Sequence, residues 1–166
     1  MTTTMNSRTH TFAPPGVLPA DFAELSGLDF LQAMLDGKIP APPIASTLDF
    51  TLLSVAEGVA VFEGQTGEHQ YNPLGSIHGG YLATLLDSAL GCAVMTTLPP
   101  GQGYTTIQLN VNMIRPAFAH TGPLRCEGRT LHAGRTVATA EAKVVGTRDG
   151  KLYAHGTTTC AIFPLK

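Results

Sequence analysis

The sequence predicts an α+β fold in which a curled antiparallel sheet wraps round one long central helix. Three features carry that expectation. The stretch Tyr81 to Leu98 is apolar at helical spacing, five or six other segments read as short strands, and the links between the later strands are too short for parallel crossovers. A long apolar helix and a sheet with one apolar face both become covered when the sheet curls round the helix.

Taken in order, residues 1–19 read as a disordered tail, polar at its start and broken by Pro14 and Pro15. The tail has no apolar segment of the secretory type, which points to the cytoplasm. Residues 20–44 read as a helix followed by a proline-rich linker. Phe22, Leu25, Leu28, Leu31, Met34 and Leu35 recur at helical spacing up to Asp36-Gly37, and Pro40, Pro42 and Pro43 follow. The main domain spans residues 45–166. It opens with strands from Thr47 to Val55 and Val59 to Gln65, turned at Glu57-Gly58, and an irregular loop from Thr66 to Ile77. In the central helix, Leu82, Leu85, Leu86, Ala89, Leu90, Ala93 and Val94 form an apolar surface broad enough to predict burial nearly all round. Beyond Pro99-Pro100-Gly101, Ile107, Leu109, Val111 and Met113 alternate with Thr106, Gln108, Asn110 and Asn112, a strand with one apolar and one polar face. Strands from Leu124 to Leu131, Thr136 to Val145 and Leu152 to Phe163 complete the sheet, with a hairpin signal at Asp149-Gly150.

Composition narrows the function. A chain of 166 residues, 43% hydrophobic with net charge −2, fits one globular domain and gives no electrostatic reason to expect nucleic acid. The central segment is short for a membrane span and carries Asp87 at its middle. Cys92, Cys126 and Cys160 have unrelated flanks and read as reduced core thiols. His69, His120, His132 and His155 show no ligand spacing with one another or with the cysteines, so no metal is expected.

The helix start concentrates the chemistry. His78-Gly79-Gly80 follows the turn-rich Asn72 to Ile77, and the amides of Gly79 and Gly80 would lie at the positive end of the helix, where they would polarise a carbonyl oxygen. Asp87 is the sole acid between Glu68 and Glu127, and an isolated carboxylate on a buried helix is costly unless paired or set at a wet cleft. Taken singly, the other residues have plainer readings. Gly79-Gly80 is a flexible turn, His78 a cap or packing residue, and Asn72 a turn residue.

Asn72, His78-Gly79-Gly80, Asp87 nine residues after His78, Arg115-Pro116-Ala117 at a strand end and the turn Ala133-Gly134-Arg135 together resemble the PaaI-like acyl-CoA thioesterases of the hotdog fold. The resemblance covers roughly residues 45 to 163 and implies hydrolysis of an acyl-CoA thioester without a cofactor, CoA being part of the substrate. It implies Asp87 as nucleophile or general base, Gly79 as oxyanion donor, His78 and Asn72 in support, and a hydroxyl residue after the helix. Counting back from Pro116 gives Thr106 and counting forward from Asp87 gives Thr105; Thr106 is preferred. Gly80 and Arg135 are assigned to the CoA, with Arg115 and Arg129 as further basic groups near strand ends.

The residue types suit that chemistry, since charge develops on the carbonyl oxygen and a carboxylate must attack or activate water. His78 and Asp87 lie about 13 Å apart along one helix at ~1.5 Å per residue, too far to serve one carbonyl. A catalytic reading therefore requires a homodimer with Gly79 of one chain facing Asp87 of the other, with a dimer of dimers as a further step. Two other classes compete: a dehydratase or hydratase of the same fold, and a non-catalytic acyl-CoA-binding protein. Aryl and short-to-medium acyl groups are equally compatible.

Overall fold

In the computed structural model, residues 5–14 and 22–165 are described. The start of the expected N-terminal helix at Ala20 lies outside them, as does much of the expected tail. Residues 5–14 form no helix or strand, yet Arg8 is tied down: its guanidinium donates to the Thr47 carbonyl at 2.6 Å and the Ser46 carbonyl at 3.1 Å, and pairs with Asp49. A short 3-10 turn at Phe22–Glu24 leads into α1, Gly27–Leu35. This helix starts later than its apolar spacing predicts because Ser26 caps it, its hydroxyl accepting from the Asp29 amide at 3.1 Å.

The proline-rich linker holds an unforeseen helix, α2, over Pro43–Leu48, with proline in its first turn where no amide partner is needed. Asp49 ends it in the left-handed conformation, φ 57°, and this delays the first strand from the expected Thr47 to Phe50. Strands β1 (Phe50–Ala56) and β2 (Val59–Gly64) form the first hairpin.

Helix α3 runs from Gly79 to Met95. It closes before the expected Leu98 because the hydroxyls of Thr96 and Thr97 bond back to the carbonyls of Ala93 and Val94 at 2.6 and 2.7 Å. Strands β3 (Gln102–Met113), β4 (Leu124–Ala133), β5 (Val137–Gly146) and β6 (Leu152–Pro164) follow. All pair antiparallel in the order β1-β2-β4-β5-β6-β3, which leaves β3 on an edge.

The sheet curls over α3, as the sequence predicts. Leu85, Leu86, Ala89, Leu90, Ala93 and Val94 of the helix are fully buried against Leu124, Cys126, Ala140, Val144 and Cys160 of the strands. Gly128 of β4 makes the contact close, because a methyl group there would run into the Ala89 carbonyl of α3. Burial is not complete all round, however. Ala83, Thr84, Asp87 and Ser88 form a half-buried stripe along the helix. The outer face of the sheet is charged, with Arg129 held by Glu127 at 2.5 Å and Arg125 by the same carboxylate at 3.5 Å. Among the described residues, no helix is long and apolar enough to cross a membrane.

The strand after the helix departs from simple alternation. Thr106 pairs with Cys160 and Gln108 with Thr159, so Ile107 is an extra residue, a bulge. On its two sides the pattern changes phase. Tyr104 and Thr106 face the helix before the bulge and Leu109 and Val111 after it, while Ile107 is 60% exposed.

Candidate active site

The loop before α3 is built to present the helix start. Asn72 organises it: its side-chain oxygen accepts from the Leu74 amide at 2.9 Å and the Ser76 amide at 3.3 Å, and its nitrogen donates to the Ser76 hydroxyl at 3.0 Å. The chain then crosses to α3 with the Ile77 amide donating to the Ala117 carbonyl and the His78 amide to the Gln70 carbonyl, both at 2.8 Å.

His78 is the N-cap residue of α3, and its Nδ1 accepts from the Gly80 amide at 2.8 Å. That bond engages the Gly80 amide within the chain. It also fixes the ring tautomer, with the proton of the neutral imidazole on Nε2. The Gly79 amide finds no acceptor among the described residues. Gly79 borders a cavity of about 260 Å³ with Ser76, Leu82, Met113 and Arg115, and the Met113 side chain lies beside its Cα. A second hollow, sharing Arg115 and Pro116, brings in Arg148 and Lys151 and the stacked rings of Phe118 and His120, whose centroids are 5.2 Å apart. Neither Arg148 nor Lys151 stands out in the sequence, because their nearness to Arg115 comes from the β5–β6 turn folding back over the strand end.

Two turns along α3, Asp87 is half-buried and its Oδ1 accepts from the Thr106 hydroxyl at 3.0 Å. Thr105 pairs with Ala161 and is exposed, whereas Thr106 meets the carboxylate. The surroundings of Asp87 hold their protons. Burial, and next the nearby Asp87 charge, push the Cys92 thiol up to about 12, and the Tyr104 hydroxyl is raised well above its usual value chiefly by burial. Three thiols, Cys92, Cys126 and Cys160, are free.

The candidate residues thus fall into two groups. Gly79 lies beside Met113 and Asp87 meets Thr106, and along α3 the two stand eight residues apart, about 12 Å at ~1.5 Å per residue. Arg135 belongs to the Thr106 end, since Ala138 of β5 pairs with Cys160, the partner of Thr106. It is exposed, and Arg129 is taken up by Glu127 on the outer face.

The Thioesterase superfamily model matches residues 74–153, from the loop that carries the cap to the start of β6. Acyl-coenzyme A thioesterase 13 of Mus musculus is 32% identical over 109 residues, 66% of this chain and 76% of its own length. The chain belongs to the thioesterase superfamily. Its fold agrees: a phenylacetic acid degradation-related protein of Ralstonia eutropha, described as a candidate thioesterase, superposes with a TM-score of 0.70 at 33% identity, covering 78% of this chain and 97% of the other. A relative from Halobacterium salinarum named as a candidate esterase is 42% identical over 77 residues, 45% of this chain and about half, 49%, of its own. The thioesterase reading from the sequence motif therefore stands, and with it assignment to the thioester hydrolases.

Proposed function

We propose that this thioesterase-superfamily protein hydrolyses acyl-CoA thioesters in the cytoplasm, at two equivalent sites formed between two copies of the chain. The observation that carries the reading is the hydrogen bond from Thr106 to Asp87, which orients a carboxylate on the half-buried stripe of an otherwise buried helix. In each site the unpaired Gly79 amide, at the positive end of α3, meets the thioester carbonyl oxygen. Asp87 of the other chain either attacks the carbonyl carbon or takes a proton from the water that does. The carbon–sulfur bond then breaks and the CoA thiolate leaves, a good leaving group because free thiols have pKa values near ~8.5; on the first route water then cleaves the anhydride between the acyl group and Asp87, releasing the acid and restoring the carboxylate.

Pairing of two chains is supported by the distance between the two groups, by the open stripe of α3 and by the unpaired edge of β3 with its exposed Ile107 and Met113. A dimer of dimers would build on that unit. Arg115, Arg148 and Lys151 beside the Gly79 cavity suit the phosphates of CoA, with Arg135 of the facing chain as a further cation. The free thiols are in keeping with a reducing compartment.

Thiol release from phenylacetyl-CoA, benzoyl-CoA and octanoyl-CoA tests the activity and ranks the acyl groups. With the best of them, Asp87→Asn is expected to lower kcat about 10²-fold or more in a folded protein. Near-full activity in that variant would remove Asp87 from the mechanism.

A further inference from the structure

Gln70 is one of the few buried polar side chains, 6% exposed, in the loop ahead of α3. Its carboxamide is fully engaged. Nε2 donates to the Leu48 carbonyl at the end of α2 at 2.8 Å and to the Gln65 carbonyl just beyond β2 at 3.0 Å, while Oε1 accepts from the Gly67 amide at 3.0 Å. Two carbonyls on one side and an amide on the other fix the orientation, since a flipped amide would set oxygen against oxygen. The Gln70 carbonyl in turn receives the His78 amide at 2.8 Å, and Tyr81 in the first turn of α3 donates to the same Gln65 carbonyl at 3.0 Å. One residue therefore joins α2, the end of β2 and the loop through its side chain, and the cap of α3 through its main-chain carbonyl.

We propose that Gln70 is a positioning residue of the reaction: its buried carboxamide fixes the carbonyl that holds the His78 amide, and so sets the direction of the Gly79 amide toward the substrate oxygen. The inference rests on the reading of Gly79 as oxyanion donor. The physical ground is that His78 is held at both ends, by Gln70 through its own amide and by Gly80 through its ring, so the peptide between His78 and Gly79 has little freedom left. An oxyanion donor acts through its aim, and a small rotation of that peptide weakens the bond to the transition state more than the binding of the substrate.

Two variants test it, each assayed by thiol release per folded dimer. Gln70→Met keeps the length and loses every polar contact; kcat is expected to fall about 10-fold or more while KM stays within about twofold. Gln70→Glu adds a pH signature. Its neutral carboxyl still offers one donor and one acceptor, whereas its ionised form sets negative charge against the Leu48 and Gln65 carbonyls, which raises its pKa. The ratio of its kcat to that of wild type is expected to climb several-fold as pH falls from 8 to 5.5. Dividing by wild type removes the pH dependence that both proteins share; the titratable side chains around position 70, namely Tyr81, Asp49, Glu68, His69 and His78, are the same in each.

A folded Gln70→Met protein with wild-type kcat, or a Gln70→Glu ratio that is flat with pH, would overturn the assignment. The Gly79 amide resonance gives a readout without turnover: it should move in both variants while that of Gly101, beyond the far end of α3, stays put. An unmoved Gly79 resonance would also overturn it. Failure of the hydrolase reading shows separately, as absence of thiol release from the wild-type protein.

Discussion

Thr106 gives its hydroxyl proton to one oxygen of Asp87, and the other oxygen has no hydrogen-bond partner among the described residues. Removing that donor without changing size isolates its effect. Thr106→Val is expected to lower kcat about 10- to 150-fold, the worth of one hydrogen bond to a charged group, ~1.5–3 kcal/mol. Thr105→Val, on the exposed side of the same strand, should leave turnover unchanged; equal losses in both would mean that the strand, and not the bond, is what matters. Asp87 itself is legible in the sequence because a lone acid in an apolar helix is expensive wherever it is not used. The choice of threonine is not, since strict alternation sets Thr106 opposite Leu109. The engaged Gly80 amide is equally hidden, because a histidine ring nitrogen turning back on its own helix is a matter of rotamer rather than of residue order.

At the scale of elements, the Ile107 bulge divides β3 into two parts that both face the helix. Before it, β3 turns Tyr104 and Thr106 toward α3; after it, Leu109 and Val111. Deleting Ile107 removes the extra residue and leaves Thr106 opposite Cys160, Gln108 opposite Thr159 and Leu109 opposite Thr158, so Thr106 and Leu109 still face the helix on a two-residue period. The deletion variant is therefore expected to fold with Thr106 still on Asp87 and a kcat within about threefold of wild type. A folded deletion with the kcat of Thr106→Val would show that the bulge itself, and not the register, holds the threonine. Periodicity located the central helix and the paired strands because their burial is strong and regular. It did not reveal α2, where three prolines read as a stop although Pro43 in a first turn is compatible with a helix, nor the delay of β1 to Phe50, which follows from the left-handed turn at Asp49.

For the molecule as a whole, the proposed division of the site between two chains makes a quantitative prediction. Asp87→Ala removes the carboxylate and Gly79→Pro removes the donor. Gly79 is the first residue of α3, where proline fits, and His78 already has the extended backbone, φ −63° and ψ 135°, that precedes proline. Each homodimer should be nearly inactive. Refolding an equal mixture gives about half mixed dimers, each with one intact site, so activity should return to roughly a quarter of wild type. Mixed dimers that form, as tags can verify, and stay inactive would refute the shared site. Stability should also respond to alkali. Burial raises the thiols of Cys92, to about 12, and of Cys126 and Cys160. The folded chain keeps these protons to higher pH than the unfolded chain, whose thiols titrate near ~8.5. Their contribution is complete below that pH and is lost as pH climbs toward 12. The urea midpoint should fall between pH 7.5 and 10, and less steeply in Cys126→Ala; identical slopes would assign the loss to other groups.

The missing side chain at Gly128 closes a route. With the Ala89 carbonyl of α3 pressed against the β4 backbone at that point, a methyl group does not fit between helix and sheet, and a hydrocarbon tail fits still less. On the proposed function, a fatty or aromatic acyl group then has to travel along the outside of the helix, over Ala83, Thr84 and Ser88, with the facing chain of the proposed dimer as its other wall. Tail length and width would then be judged by small residues on a surface, and a new substrate preference would require no rebuilding of the core.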